Sequence, residues 1–178
     1  MSRSEIRIAG AGGQGVVTAG RILAEAAILS GSEATHSQVY GPQSRGGASR
    51  SDVVIAAEKI GFPLADNIDL LVVLSSEAYS KYQPELGADG SLIVDSRCAP
   101  ETLNGNSSRF PVVDTARSVS GGQLVTGVVA LGVLQAHTAV VEAGSLKAAV
   151  LRRVPLQHRG MNLDALGAGM ELAGGRLP

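Results

Sequence analysis

The sequence has very little cysteine: its 178 residues contain one, Cys98. A single thiol excludes a disulfide within the chain. It also excludes an iron–sulfur cluster held by this chain alone, because such a cluster needs several thiolate ligands. Cys98 follows the apolar run LIVDSR at the end of a predicted strand. This position predicts a half-buried structural thiol rather than a nucleophile.

Charged residues are also scarce. They make up 17% of the chain, against about 25% in typical soluble domains. The 15 basic and 16 acidic residues leave a net charge of −1. No long-range field therefore draws the chain to nucleic acid or to an anionic membrane, and we expect neither as a partner. A small protein with so few charges is expected to have part of its surface covered by another polypeptide.

Long hydrophobic runs are missing as well. The longest apolar stretch, Leu124 to Val141, is interrupted by Thr126, Gly127, Gly132, Gln135, His137 and Thr138. A membrane-spanning helix needs about 20 mostly apolar residues, so this stretch predicts a buried or interfacial helix instead. The N-terminus enters a strand-like run at once, without the pattern of a signal peptide. We therefore expect a cytoplasmic protein.

Strand-like and helix-like segments alternate along the chain, with glycine-rich turns between them. Strands are predicted at 5–10, 34–41, 51–57, 67–75, 87–96 and 109–115, and helices at 16–31, 76–86, 121–137, 142–154 and 161–175. This alternation predicts an α/β fold: a single doubly wound, mostly parallel, Rossmann-like sheet with helices on both faces and a C-terminal helical segment. The insertion at 41–63 is hairpin-like and adds a possible antiparallel edge. No linker or repeat divides residues 1–178, so one domain is predicted.

A glycine motif joins the first strand to the first helix. Gly10, Gly12 and Gly15 have the G-x-G-x-x-G spacing, which favours an anion near the free amides and the positive dipole end of a helix. A dinucleotide site also needs an acidic residue at the end of the second strand. Glu33 precedes that strand, and its end at Val39 carries no carboxylate. A phosphate site and tight strand–helix packing therefore remain equal alternatives for this loop.

A second polar loop, YGPQSRGGASR at 40–50, follows the second predicted strand. In a doubly wound sheet it lies beside the glycine loop, where ligands collect. Arginine side chains pair well with phosphate or carboxylate, so an anion-binding or subunit-contact role is favoured over a solvated turn. The candidate residues of both loops are Gly10, Gly12, Gly13, Gln14, Gly15, Tyr40, Gln43, Ser44, Arg45, Gly46, Gly47 and Arg50, with Ser49 as a further donor.

The two loops, GAGGQGVVTAGRILAEAA and YGPQSRGGASRSDVVIA, together resemble the gamma subunit of the 2-oxoacid:ferredoxin oxidoreductases. The resemblance continues through DLLVVLSSEAYSKYQPEL, GSLIVDS, ALGVL and NLDALGAGMELA, and the second loop is most similar to that of the 2-oxoglutarate type. Residues 126–128 depart from an Asn-Met pair common in the family, so no role for that asparagine is carried over. Asn162 matches a family asparagine and is expected to cap or tether a helix.

The resemblance implies a complex that converts a 2-oxoacid and coenzyme A to acyl-CoA and carbon dioxide, reducing ferredoxin. Thiamine diphosphate with Mg on the alpha and beta subunits would do the carbon chemistry, and iron–sulfur clusters would carry the electrons. The gamma chain would bind no cofactor alone and would pack on the alpha, beta and possibly ferredoxin-like delta subunits. No catalytic or metal-binding residue is predicted, since the three histidines, His36, His137 and His158, show no pairing with a nucleophile.

The candidate residues are accordingly expected to line the approach of coenzyme A or to contact the thiamine-binding subunits. Two alternatives remain open at this point. One is a free-standing dinucleotide-binding oxidoreductase. The other is a homo-oligomeric scaffold or regulatory protein with the same fold, because a fold alone does not determine function.

Overall fold

The computed structural model describes residues 3–39, 47–98, 100–103 and 105–176. Within them, six strands form one sheet in the order β2-β3-β1-β4-β5-β6. The strands are β1 (Ser4–Ala11), β2 (Glu33–Val39), β3 (Ala48–Ala56), β4 (Ile68–Val73), β5 (Leu86–Asp95) and β6 (Ser107–Phe110). The helices are α1 (Val16–Leu29), α2 (Ser76–Tyr82), α3 (Val112–Ser120), α4 (Thr126–Thr138), α5 (Ala143–Arg153) and α6 (Arg159–Leu172). Short 3₁₀ turns follow α2 at Gln83–Glu85 and precede α6 at Leu156–His158.

The sheet is mixed. Strands β1, β4, β5 and β6 run parallel to one another, whereas β3 is antiparallel to both β1 and β2. The segment that joins β2 to β3 is too short to hold a crossover helix, so β3 must return antiparallel. The α/β prediction is confirmed. The antiparallel addition that the sequence suggested is the β2–β3 hairpin, and it forms one side of the sheet.

The two faces of the sheet are covered unequally. Five of the described helices, α1 and α3 to α6, surround the larger core, while α2 packs on the opposite face. Strand β1 shows the alternation that this requires, because Ile6 and Ile8 enter the larger core and Ala9 enters the smaller one. Helices therefore lie on both faces, as predicted.

Helix α4 lies inside the larger core. A Cβ on Gly132 would come within 2.2 Å of the Leu166 carbonyl oxygen, and a Cβ on Gly169 within 2.0 Å of the Val129 oxygen. These two glycines let α4 and α6 cross at backbone distance. Because α4 is buried along most of its length, its surface belongs to the core of this chain. In the part of the chain that the structure describes, no helix is long and apolar enough to cross a bilayer.

The predicted strand at 109–115 is only partly correct. Strand β6 ends at Phe110, and Pro111 caps the start of α3. Val112, Val113 and Ala116 are buried at helical spacing, and the buried carboxylate of Asp95 accepts the Val113 amide at 2.8 Å. The apolar run was too short for its periodicity to distinguish a strand from a helix.

Candidate functional site

The glycine loop needs glycine at two positions for backbone reasons. Gly13 has φ 88° and Gly15, the N-cap of α1, has φ 74°. Both lie in the left-handed region, which side chains with a Cβ rarely adopt. The positions of Gly12 and Gly13 face open space, since a Cβ at either would meet no atom within 4 Å. The outer side of the loop is thus accessible.

Gln14 is the internal brace of this loop. Its side chain is 4% exposed, its Oε1 accepts the Ala11 amide at 2.7 Å, and its Nε2 donates to the Leu74 carbonyl at 2.9 Å. A Cβ on Gly10 would lie 2.5 Å from Gln14 Oε1, so Gly10 makes room for that side chain. The sequence predicted that Gln14 offers a backbone or amide donor to a ligand. The structure shows both ends of its side-chain amide bonded within the protein.

The inner side of the loop packs against the start of α4. The Gly127 amide donates to the Gln14 carbonyl at 2.8 Å, and a Cβ on Gly127 would lie 2.6 Å from the Gly15 oxygen. The two alternatives for the motif therefore apply to different sides of one loop. The inner side is closely packed against α4, and the outer side is open, so the phosphate-site prediction concerns the outer side alone.

A groove of about 460 Å³ lies on the outer side. The first amides of α1 have no acceptor within the helix and stand at its positive end, so they favour a negatively charged group. Arg21 adds a cation from the second turn of α1, and Ser49 adds a hydroxyl from β3. The full lining comprises Ala11, Gly12, Gly13, Gly15, Val16, Val17, Thr18, Arg21, Ser49 and Leu124.

Sequence reasoning missed Arg21 and Leu124. The spacing of Arg21 four residues after Val17 could have indicated its position, because both lie on the helix face away from the core. Leu124 gave no such signal. It is 78% exposed and comes to the groove only because α4 packs beside the glycine loop.

The second loop begins and ends at the same edge of the sheet as the glycine loop. Ala48 pairs with Ala11 at the end of β1, and Arg50 pairs with Val39 at the end of β2. Gly47 therefore lies next to the glycine loop, as predicted. The other candidates of this loop lie outside the described residues: Tyr40, Gln43, Ser44, Arg45 and Gly46.

Arg50 is directed to the opposite face of the sheet from Ser49. Its guanidinium lies 3.4 Å from the Glu85 carboxylate and 3.5 Å from that of Asp52, and it stands 5.6 Å from the centre of the Tyr82 ring. The structure therefore does not bring Arg50 to the groove. The role in anion binding that the sequence suggested for it has no support from its position, and its role in subunit contact stays a prediction.

Arg7 stands at the centre of the same cluster. It is 2% exposed, binds the two Asp52 carboxylate oxygens at 2.7 and 3.0 Å, and also donates to Glu85. Burial would lower the pKa of Arg7, but the hydrogen bonds and charges of Asp52 and Glu85 outweigh it and raise that pKa. This fully paired cation joins β1, β3 and the turn after α2.

Among the described residues, the histidines and the cysteine show no exposed arrangement of a nucleophile with a base: His36 and Cys98 are half-buried, and His137 and His158 are exposed. His36 Nε2 lies 2.6 Å from Ser51 Oγ, and the Ser51 hydroxyl is completely buried. His137 packs edge-on against Phe110. Burial, with the charge of Asp95, raises the pKa of the half-buried Cys98 thiol to about 11. The half-buried position predicted for Cys98 is confirmed.

Asn162 tethers the start of α6, since its Nδ2 donates to the His158 carbonyl at 2.8 Å. This is the role expected from the sequence. Asn162 also lines a second, more apolar groove of about 290 Å³. That groove shares Thr18 and Leu124 with the first. The two depressions are therefore adjacent.

Comparison with known proteins places this geometry in a family. The model of the pyruvate ferredoxin/flavodoxin oxidoreductase family matches residues 5–172. Two curated relatives are 2-oxoglutarate synthase subunits KorC. That of Methanothermobacter marburgensis is 40% identical, with 96% of each chain covered, and that of Methanocaldococcus jannaschii is 39% identical, with 96% of this chain and 94% of the relative covered.

A solved structure agrees with these sequence relatives. The gamma subunit of a keto/oxoacid ferredoxin oxidoreductase from Geobacter sulfurreducens superposes with a TM-score of 0.83 at 41% identity, and 97% of each chain is covered. The similarity thus includes the glycine loop, the β2–β3 hairpin and the helices around them. This chain belongs to the pyruvate ferredoxin/flavodoxin oxidoreductase family.

Proposed function

We propose that this chain is the gamma subunit of a 2-oxoglutarate:ferredoxin oxidoreductase and is inactive alone. The observation that carries this proposal is similarity over almost the full length of the relatives, at 40% identity to a 2-oxoglutarate synthase subunit and 41% to a gamma subunit of known structure. The reaction would be oxidative decarboxylation of 2-oxoglutarate to its acyl-CoA, with reduction of ferredoxin. The partners would be alpha, beta and ferredoxin-like delta subunits.

The cofactors of that reaction belong to the other subunits in this proposal. Thiamine diphosphate with Mg and the iron–sulfur clusters require carboxylate or thiolate ligands. The single thiol of this chain has a pKa of about 11, far above that of a ready ligand. Among the described residues, no three His, Cys, Asp or Glu side chains are grouped as a metal site. The described residues thus offer no grouped thiolates for an iron–sulfur cluster, which supports placing the clusters on other subunits.

Coenzyme A fits the glycine-loop groove better, because its phosphates match the donors there. The amides at Gly12, Gly13 and Gly15 and the Arg21 guanidinium would bind phosphate. Arg45, which lies outside the described residues, stays a prediction from the sequence as a further partner of phosphate. Gly10 and Gln14 would shape the loop without touching the ligand. Bound coenzyme A supplies the thiol that accepts the acyl group. Alternatively, the residues that line this groove would contact a thiamine-binding subunit.

Co-expression with the other subunits tests the subunit assignment. The complex should oxidise 2-oxoglutarate in a coenzyme-A-dependent manner, and leaving out this chain should abolish that activity. Full activity without this chain, or no association with the other subunits, would contradict the proposal.

The predicted role of the two loops in binding coenzyme A or a partner subunit is tested separately by Arg45→Ala in the assembled complex. The variant should raise the apparent requirement for coenzyme A or weaken assembly, whereas Arg117→Ala, an exposed arginine on α3, should do neither. If Arg45→Ala leaves both assembly and the coenzyme A requirement unchanged, the predicted role of these loops is wrong, even when the subunit assignment holds.

A dinucleotide-binding enzyme is the second candidate, since the glycine spacing alone permits it. Strand β2 begins with Glu33 and ends at Val39, and the segment 40–46 contains no Asp or Glu. The ribose-binding carboxylate is thus missing where it is needed. Titration of the purified chain with NAD, NADP and FAD should show no tight, stoichiometric binding. Stoichiometric binding would favour the second candidate.

A further inference from the structure

The connection between β3 and β4 carries an unusual apolar tip. Residues 57–67 pass across the start of β1, at the edge of the sheet opposite the glycine loop. The eight residues of β1 separate these edges by roughly 23 Å at 3.3 Å per residue. At the tip, Phe62 and Leu64 flank Pro63, and each of the two is 51% exposed.

The backbone of this tip is bonded by two side chains, one from the residue before β1 and one from β2. Arg3 donates to the Phe62 carbonyl at 2.7 Å and to the Leu64 carbonyl at 2.8 Å, and Thr35 donates to the Pro63 carbonyl at 2.7 Å. Three consecutive carbonyls are thus bonded to the body of the protein. The loop is held in one conformation while its apolar side chains stay half exposed.

A buried carboxylate supports the arrangement. Glu5 accepts Arg3 Nε at 2.6 Å and the amides of Asp66 and Asn67 at 2.6 and 2.9 Å. Burial would raise the pKa of Glu5, but the Asn67 amide, Arg3 and the Asp66 amide outweigh it and lower that pKa. A buried, paired charge is costly to bring into a fold. In this protein the buried Glu5 carboxylate holds the 57–67 connection in place, although the Phe62 and Leu64 side chains of that connection stay half exposed.

The surroundings of the tip are acidic. Exposed carboxylates of this edge include Glu33, Glu58, Asp66 and Asp69. The basic groups beside them are Lys59, which is exposed, and Arg3, whose charge is paired with Glu5. Two copies meeting through this face would bring like charges together. Charge complementarity therefore favours a different polypeptide, one with an apolar pocket and a basic rim.

We propose that the segment Phe62–Pro63–Leu64 is a preformed docking tip that inserts into such a pocket on a thiamine-binding subunit of the complex. This inference rests on the proposed function, because it takes its partner from it. Apolar side chains on a backbone that is already fixed enter a pocket with less loss of conformational entropy than those of a flexible loop, so a few such residues can contribute much of the binding energy. The glycine-loop edge stays free for coenzyme A or for another contact.

The test uses the full chain with its co-expressed partner subunits. The double variant Phe62→Ser/Leu64→Ser should weaken association by at least about 30-fold in Kd. It should keep the circular dichroism spectrum and the urea midpoint of the wild type, because both side chains are already half exposed. The matched control is Ile28→Ser, which removes an equally exposed apolar side chain from α1 and should leave association unchanged.

Two further measurements probe the mechanism. Arg3→Gln keeps the apolar tip but releases its backbone, so it should also weaken association. Unchanged association would show that the tip does not act as a preformed element. Raising the salt concentration should slow association if the pocket has a basic rim.

The association measurements on the wild type and the double variant have three informative outcomes. If the wild type assembles and the double variant does so with equal affinity, the inference is overturned and the proposed function stands. A wild-type homodimer that the double variant disrupts would mean that the tip serves a second copy, which also overturns it. If the wild type binds no partner subunit, both the inference and the proposed function fail.

Discussion

The backbone amide of Gly127 donates a 2.8 Å hydrogen bond to the carbonyl of Gln14. This bond joins the first turn of α4 to the glycine loop across more than a hundred residues of sequence. Gly127 has no room for a Cβ, which would lie 2.6 Å from the Gly15 oxygen. The position of the loop, and with it the groove, therefore depends on a helix far along the chain.

We expect Gly127→Ala to destabilise the protein by about 1–3 kcal/mol, because the added methyl forces the backbones apart. Gly144→Ala is the matched control. Gly144 is also the second residue of its helix, α5, and its Cβ position is open. The control should be neutral or stabilising by up to about 1 kcal/mol. Urea unfolding of both variants measures this difference, and equal midpoints would contradict it.

Arg7→Met should cost about 3 kcal/mol or more, because it leaves the buried Asp52 carboxylate without its bidentate partner. Adding Asp52→Leu should recover most of this loss, since the uncompensated charge is then removed. Arg97→Met is the control: Arg97 pairs with Asp114 at the surface, and its loss should change the urea midpoint far less. A double variant no more stable than Arg7→Met would rule out this explanation.

The stability of the protein should fall between pH 7.5 and pH 5.5 because of His36. Burial, with the charges of Arg21 and Arg153, lowers the pKa of His36 from its ordinary 6.5, against the opposing effect of Asp52. As the pH falls below 6.5, His36 in the unfolded state binds a proton before His36 in the folded state does. The free energy of unfolding therefore decreases until the pH reaches the pKa of His36 in the folded protein.

Urea unfolding at the two pH values measures this His36 effect. His36→Gln should flatten the profile in this window. Glu5 and Asp114, whose pKa values are lowered from already acidic values, titrate below it. An identical slope in the wild type and His36→Gln would show that another group is responsible.

Cys98 should react slowly with iodoacetamide. With a thiol pKa of about 11 instead of 9.0, its thiolate fraction at pH 8 is about 100-fold lower than that of an unperturbed thiol. Alkylation followed by mass spectrometry should give a rate lower by about this factor in the folded protein, and an ordinary rate in urea. A fast reaction of the folded protein would contradict the buried environment.

Much of the fold was predictable from local patterns. The unbroken apolar run at β4 and the helical stripe of α1 indicated their elements correctly, because strand and helix periodicities are local properties. The boundary at Pro111 was missed, since four or five apolar residues fit either period. The sequence predicted the β2–β3 hairpin only as a possible antiparallel edge of the sheet. The pairing of β3 with β1 could not be predicted, because it joins residues that are far apart in the sequence.

The candidate site was predictable in position but not in side-chain direction. The glycine spacing correctly indicated a strand–turn–helix loop, and Gly13 and Gly15 have the positive φ values that make glycine necessary there. Gln14 and Arg50 looked equally able to meet a ligand. Their partners, Leu74 and Glu85, lie 60 and 35 residues away, so no local pattern could show that these side chains are engaged elsewhere.

By itself, the sequence determined the class of fold, the conformation of the glycine turn and the family of the chain. The fold class and the glycine turn depend on residues close together in the sequence, and the family is recognised by comparing sequences. Only the tertiary structure decided that Arg21 and Leu124, rather than Gln14 and Arg50, line the groove, and that Arg3 and Glu5 hold Phe62 and Leu64 at the surface. The physical reason is that burial and charge pairing depend on which distant segments the folded chain brings into contact.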